Sequence, residues 1–236
     1  MSAFMMVHNN NIIPAVAAGP TLVVSSAPVV VQSPFVGGGN SYSLAGTTSS
    51  YVYYSGLGTS TAFGTGDYTV EWWQYDLGSG SWPRAFWYSS TIGSNAPSLG
   101  MSLEGSATSR SSYYWPTATN LASTAVPLNT WIHFALVRIS GRVYWYKNGT
   151  LLNAGGTADA RNITDSTSNW YIGSKSAGGQ AGEQFYGYIT NFRVCKGVGV
   201  YTGNFTVPTT ALQTTQSSGT NISAITAGQC SFLLKP

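Results

Sequence analysis

Apolar and polar positions along this chain repeat with a period of two, and no stretch of useful length carries the 3.6-residue period of a helix. The clearest run is Trp131–Asn153. It predicts a strand from about Trp131 to Arg138, a Ser140-Gly141 turn, a strand from Arg142 to Lys147, and an Asn148-Gly149 turn into a short third strand. Trp131, His133, Ala135 and Val137 fall on one face of the first strand, and Ile132, Phe134 and Leu136 on the other. Apolar residues on both faces predict that both are covered.

Similar runs mark strands near Tyr42–Leu44, Tyr51–Tyr54, Phe63–Asp76, Arg84–Tyr88, Gly100–Leu103, Trp170–Gly173, Phe185–Lys196 and Cys230–Pro236. About a dozen short strands between Gly, Asn and Ser turns predict an all-β sandwich of two antiparallel sheets, of jelly-roll type. Residues 1–36 read as an extended N-terminal arm, 37–212 as the jelly-roll domain, and 213–236 as a Thr/Ser/Gln-rich linker with a C-terminal strand. Short apolar runs interrupted by prolines make the arm either a first edge strand with a frayed end or a strand donated to a neighbouring copy. Loop-rich stretches at 77–99 and 105–126 hold the densest exposed-looking aromatics: Trp82, Trp87, Tyr88, Tyr113, Tyr114 and Trp115.

Composition narrows the function. Charged residues are 7% of 236, so Ser, Thr, Gly, Asn and Tyr must supply most of the surface. Such a surface suits a subunit packed in a larger assembly better than a free monomer. The ten Lys and Arg give a net charge of +3 without a basic patch, which argues against nucleic acid. No apolar run reaches the ~20 residues of a membrane span, and no membrane insertion is expected. Cys195 and Cys230 read as free thiols, with one disulfide as the alternative in an oxidising setting.

Three motifs resemble those of concanavalin A-like, laminin-G-like jelly rolls, in that family's order. They are Gly64-Thr-Gly-Asp-Tyr-Thr-Val-Glu-Trp-Trp73; Asn129-Thr-Trp-Ile-His133 through Arg138 to the Tyr146-Lys-Asn-Gly-Thr150 turn; and Phe185-Tyr-Gly-Tyr-Ile-Thr-Asn-Phe-Arg193 followed by Lys196-Gly-Val198 and Tyr201-Thr-Gly-Asn-Phe-Thr206. The closing motif is most similar to copies carried by tailed phages and other large DNA viruses. The resemblance implies a non-enzymatic virion structural protein, a capsid decoration, fibre or tail component at the particle surface. Its partners would be other virion proteins, copies of itself held through the arm, and surface glycans. A free carbohydrate-binding adhesion module, extracellular in location, is the alternative, and a divergent glycan hydrolase a distant one.

The residues themselves offer little for catalysis. Retaining glycoside hydrolysis needs two carboxyls about 5–5.5 Å apart. Asp67 and Glu71 share a strand face but with Thr69 between them, and Asp76 lies on the opposite face. No catalytic residue is expected, and His133 reads as a core histidine. No cofactor is expected; a weak calcium site built from Asp159 or Asp165 with backbone carbonyls is the only metal candidate. Glycan contact through the six loop aromatics carries the binding expectation, because sugars stack on rings and binding residues gather in loops on such scaffolds.

Overall fold

The computed structural model describes residues 20–88, 99–106, 109–115, 119–177, 179 and 181–236, with the side chains of 106 and 109–115 outside the description. Among the described residues sixteen strands, numbered in chain order, form two antiparallel sheets. The seven-stranded sheet runs β1 (Thr21–Ser25), β4 (Tyr51–Ser55), β14 (Trp170–Ile172), β6 (Arg84–Tyr88), β7 (Leu99–Ser106), β8 (Ser109–Trp115) and β9 (Thr119–Thr124). The nine-stranded sheet runs β12 (Thr150–Leu151), β11 (Arg142–Lys147), β10 (Trp131–Ile139), β5 (Tyr68–Asp76), β15 (Tyr186–Lys196), β3 (Ser41–Ala45) and β2 (Val29–Val30). To it β13 (Thr157–Ala158) adds at β11 and β16 (Cys230–Leu234) at β15. This is the expected all-β sandwich.

The central hairpin forms as its turn residues dictate. Ser140 and Gly141 both take positive φ, 48° and 72°, and so do Asn148 and Gly149, 46° and 77°, as a two-residue I′ turn requires. Asn148 Oδ1 accepts the His133 backbone N–H at 2.8 Å, which ties the second turn to β10. Between the sheets, Trp72 meets Phe134, Trp145, Phe192 and Phe86 at centroid separations of 5.6–5.8 Å. Each such ring buried stabilises the fold by about 1.5–3 kcal/mol. Arg138 also points inward; its guanidinium donates to the carbonyls of Gly64, Gly66 and Arg161 and lies 4.9 Å above the Tyr68 ring.

Both faces of β10 are indeed covered, but by different things. Its inner face meets the other sheet, and its outer face lies under a strap, residues 197–229. Val200, Tyr201, Phe205 and Ile225 of the strap pack on Ala135, Val137, Tyr146 and Cys195 as a second apolar cluster. The polar stretch expected as a linker is part of this strap. Leu212 and Ile225 are its buried anchors, and Gln213 and Gln216 accept hydrogen bonds from Arg193. Gly149 lets the strap approach: a Cβ there would stand 2.0 Å from the Phe205 carbonyl oxygen. At the N-terminus, residues 1–19 lie outside the description, while β1 and β2 pair with β4 and β3 of the same chain.

Candidate functional site

The outer face of the seven-stranded sheet carries a row of aromatic positions. On β4, Val52 and Tyr54 point into the core, so Tyr51 and Tyr53 face outward; on β14, Trp170 and Ile172 are buried, so Tyr171 faces outward. Pairing then places Val23, Tyr53, Tyr171, Trp87, Gly100 and Trp115 side by side across six strands. The Tyr53 and Tyr171 rings are 5.1 Å apart, and Tyr51 completes a triangle at 6.1 and 6.0 Å. All three tyrosines are half-buried, with ring surface left for a ligand. Clustered aromatics with a polar tip offer apolar area and a hydroxyl together, which is what the two faces of a sugar need.

Trp87 follows Tyr171 in this row. Its ring lies against Gly100, where a Cβ would stand 2.6 Å from Cε3. Arg84 and Lys175 sit 5.6 and 5.4 Å from its centroid. Arg84 pairs with Glu104 at 3.1 Å and with Glu183 at 2.7 Å, and Lys175 reaches Glu183 at 3.5 Å. These ion pairs leave no net positive charge standing beside the Trp87 ring.

Of the six aromatics expected to contact glycans, the described side chains are those of Trp82, Trp87 and Tyr88, and these differ widely in exposure. Trp82 is 55% exposed in the loop before β6. Trp87 retains 4% exposure, so only an edge is open. Tyr88 is corrected outright: it is wholly buried, stacked on Trp170 at 4.6 Å, and its hydroxyl donates to the Asp165 carbonyl and accepts from Thr61. It is a core residue, because Phe86 and Tyr88 of β6 both turn inward. Tyr113, Tyr114 and Trp115 belong to strand β8 and not to a loop; their side chains lie outside the description. Tyr51, Tyr53 and Tyr171, which sequence reasoning missed, sit on the outward phase of strands whose alternate positions are core. That parity was the available signal.

The strongest electrostatic feature lies on the other sheet. Glu71 on β5 is buried under the strap; one carboxylate oxygen accepts from Arg193 at 2.6 and 2.9 Å, the other from the Tyr201 hydroxyl at 2.6 Å and His133 Nε2 at 3.1 Å. Burial alone would raise the Glu71 pKa, but the Arg193 charge and the His133 and Tyr201 hydrogen bonds outweigh it and hold the carboxyl at about 2. Burial and the Glu71 charge push the Tyr201 phenol well above its usual value.

The other acids are engaged too. Asp67 accepts from Ser140 N, Asp76 from Gly78 N and Ser79 N, Asp159 from Arg161, and Asp165 from Thr167 and Ser168. Asp159 and Asp165, the calcium candidates, thus serve as an ion-pair partner and a turn cap. Among the described residues no group of three His, Cys, Asp or Glu is placed to hold a metal ion, and no helix is long and apolar enough to cross a membrane.

A family profile described as the Concanavalin A-like lectin/glucanases superfamily matches residues 45–198. No curated protein matches the sequence. Solved structures share the fold at low identity. Domain 4 of AbnA, an extracellular GH43 arabinanase from Geobacillus stearothermophilus in complex with arabinotriose, is 14% identical with a TM-score of 0.55, over 76% of this chain and 83% of that one. The binding domain of Paraclostridial Mosquitocidal Protein 1 is 14% identical at TM-score 0.53, over 76% of this chain but 44% of that one. The enzymatically active domain of tailspike protein 2 from bacteriophage CBA120 is 16% identical at 0.52, over 77% and 29%. The chain therefore spans less than half of the latter two. These likenesses correct the expectation of a non-enzymatic protein. The fold occurs in an arabinanase and in an enzymatically active tailspike domain, so a lack of catalysis does not follow from it.

Proposed function

The chain belongs to the concanavalin A-like lectin/glucanases superfamily, and from that premise we propose that it is a glycan-contacting module at a virion surface, with Tyr51, Tyr53 and Tyr171 as its stacking platform. The observation that carries this reading is the row of paired positions from Val23 to Trp115, in which Tyr53 and Tyr171, with Tyr51 beside them, keep open ring surface. Arabinotriose bound to the arabinanase domain supports the ligand class, at the level of shared fold. The closing motif from Lys196 to Thr206 and the tailspike likeness support the particle location. Multivalent display on an array of neutral oligo- and polysaccharides tests the binding. Retention that the Tyr53→Ala, Tyr171→Ala double variant loses is the expected result, and equal signals from both proteins would defeat it. Mass spectrometry of purified particles tests the location; finding the chain only in particle-free medium would assign it to a free adhesion lectin.

A second reading concerns assembly. Four of the exposed large apolar side chains, Val24, Val29, Val31 and Val36, fall within thirteen residues next to the N-terminal segment, and β1 and β2 are edge strands of the two sheets. Exposed edges flanked by valine support contact between copies through the N-terminal arm, residues 1–36.

A further inference from the structure

The strap over the nine-stranded sheet is flanked by two cysteines. Cys195 is the last residue but one of β15 and Cys230 the first of β16, and the two stand directly opposite in the antiparallel pairing, beside a bulge. Every strap residue that covers Glu71 and Arg193 lies between them in sequence. Opposed residues of such a pair have Cα atoms about 4.5–5.5 Å apart. That falls inside the ~4.4–6.8 Å range a disulfide spans. Both thiols are free in this structure. Cys195 is buried, whereas Cys230 is half-exposed and its Sγ lies 3.5 Å from the Phe232 carbonyl oxygen.

We propose that Cys195 and Cys230 form a redox clasp, which a disulfide oxidant such as glutathione disulfide converts into a cross-strand disulfide that closes residues 195–230 as a ring over the buried Glu71–Arg193 pair. The two thiols have separate roles. The more accessible Cys230 is the attacking group, and its interaction with the Cys195 thiol lowers its pKa, while that interaction and burial raise Cys195. The Cys230 thiolate attacks one sulfur of glutathione disulfide, forming a mixed disulfide and expelling one glutathione thiolate. Cys195 then loses its proton and attacks Cys230 Sγ, expelling the second glutathione. Two protein thiols are oxidised and one glutathione disulfide is reduced to two glutathiones.

The clasp also has a structural consequence. Strand β16 is held by pairing to β15, and the strap by its packing and hydrogen bonds, so in the reduced chain strap and strand can lift as one local unit. The disulfide removes that freedom from the unfolded and partly open states.

The test treats the reduced full-length protein with glutathione disulfide under native conditions and follows intact mass, free thiols and melting. The expected product is two hydrogens lighter, carries no glutathione, resists alkylation, and melts roughly 5–10 °C higher until dithiothreitol reverses it. Cys195→Ser should stop at one glutathione on Cys230, and Cys230→Ser should leave Cys195 unmodified while folded. Wild-type thiols that stay free, or that each take up a glutathione, in protein with unchanged circular dichroism would overturn the clasp. So would a disulfide that leaves the melting temperature where it was.

Discussion

Arg193 donates from Nε and Nη2 to a single oxygen of Glu71, at 2.9 and 2.6 Å, where neither side chain reaches solvent. The remaining Glu71 oxygen takes the Tyr201 hydroxyl and His133, and the remaining Arg193 donors reach Gln213 and Gln216 of the strap. Four elements far apart in sequence, β5, β10, β15 and the strap, thus converge on one carboxylate. Glu71→Gln leaves a buried guanidinium without its counter-charge, a change that costs about 3–5 kcal/mol. Urea unfolding should show the midpoint fall accordingly, with the m-value unchanged.

The same carboxylate sets an acid limit. Glu71 titrates near about 2 in the folded chain against 4.5 for an unperturbed group, so its contribution is complete above about 4.5 and is lost as pH falls toward 2. The amount is on the order of 3 kcal/mol. Unfolding free energy measured from pH 6 to 2 should drop most steeply below 4.5 in the wild type, and the Glu71→Gln variant should lack that component.

Much of the fold was legible because alternation is a direct record of which face is buried. Trp131–Arg138 and Arg142–Lys147 emerge as β10 and β11 within one residue, with both turns as their Ser-Gly and Asn-Gly pairs require. The strap was not legible. The buried anchors of its polar stretch, Leu212 and Ile225, are single residues in a Thr/Ser/Gln background, and an irregular segment has no period to betray its inner side. The site failed for a different reason. Counting aromatics favours 82–88 and 113–115, but in β6 neighbouring residues face opposite ways, so Tyr88 is core while Trp87 faces out. Tyr51, Tyr53 and Tyr171 stand out only once the phase of each strand is fixed by its core partners.

Gly100 is the seat of the Trp87 ring. Gly100→Ala places a methyl group against that ring, which has no room to yield behind Arg84 and Lys175. Overpacking of this kind costs about 1–3 kcal/mol. Thermal melting should record the loss, and glycan retention should weaken with it, because Trp87 pairs directly with Tyr171.

The assembly reading is tested by removing residues 2–19 and leaving β1 and β2 in place. Light scattering on the full chain should report an oligomer, and the shortened chain should report a monomer with the same melting temperature. Equal masses for the two proteins would remove the arm from the account.

The glycan platform is tested most directly by hydrogen exchange on the protein with and without a saturating oligosaccharide taken from the array. Slowed exchange confined to residues 51–55, 84–88 and 170–172, and absent from the Tyr53→Ala, Tyr171→Ala variant, is the predicted result. Protection that falls instead on the strap or on the outer face of the nine-stranded sheet would contradict it.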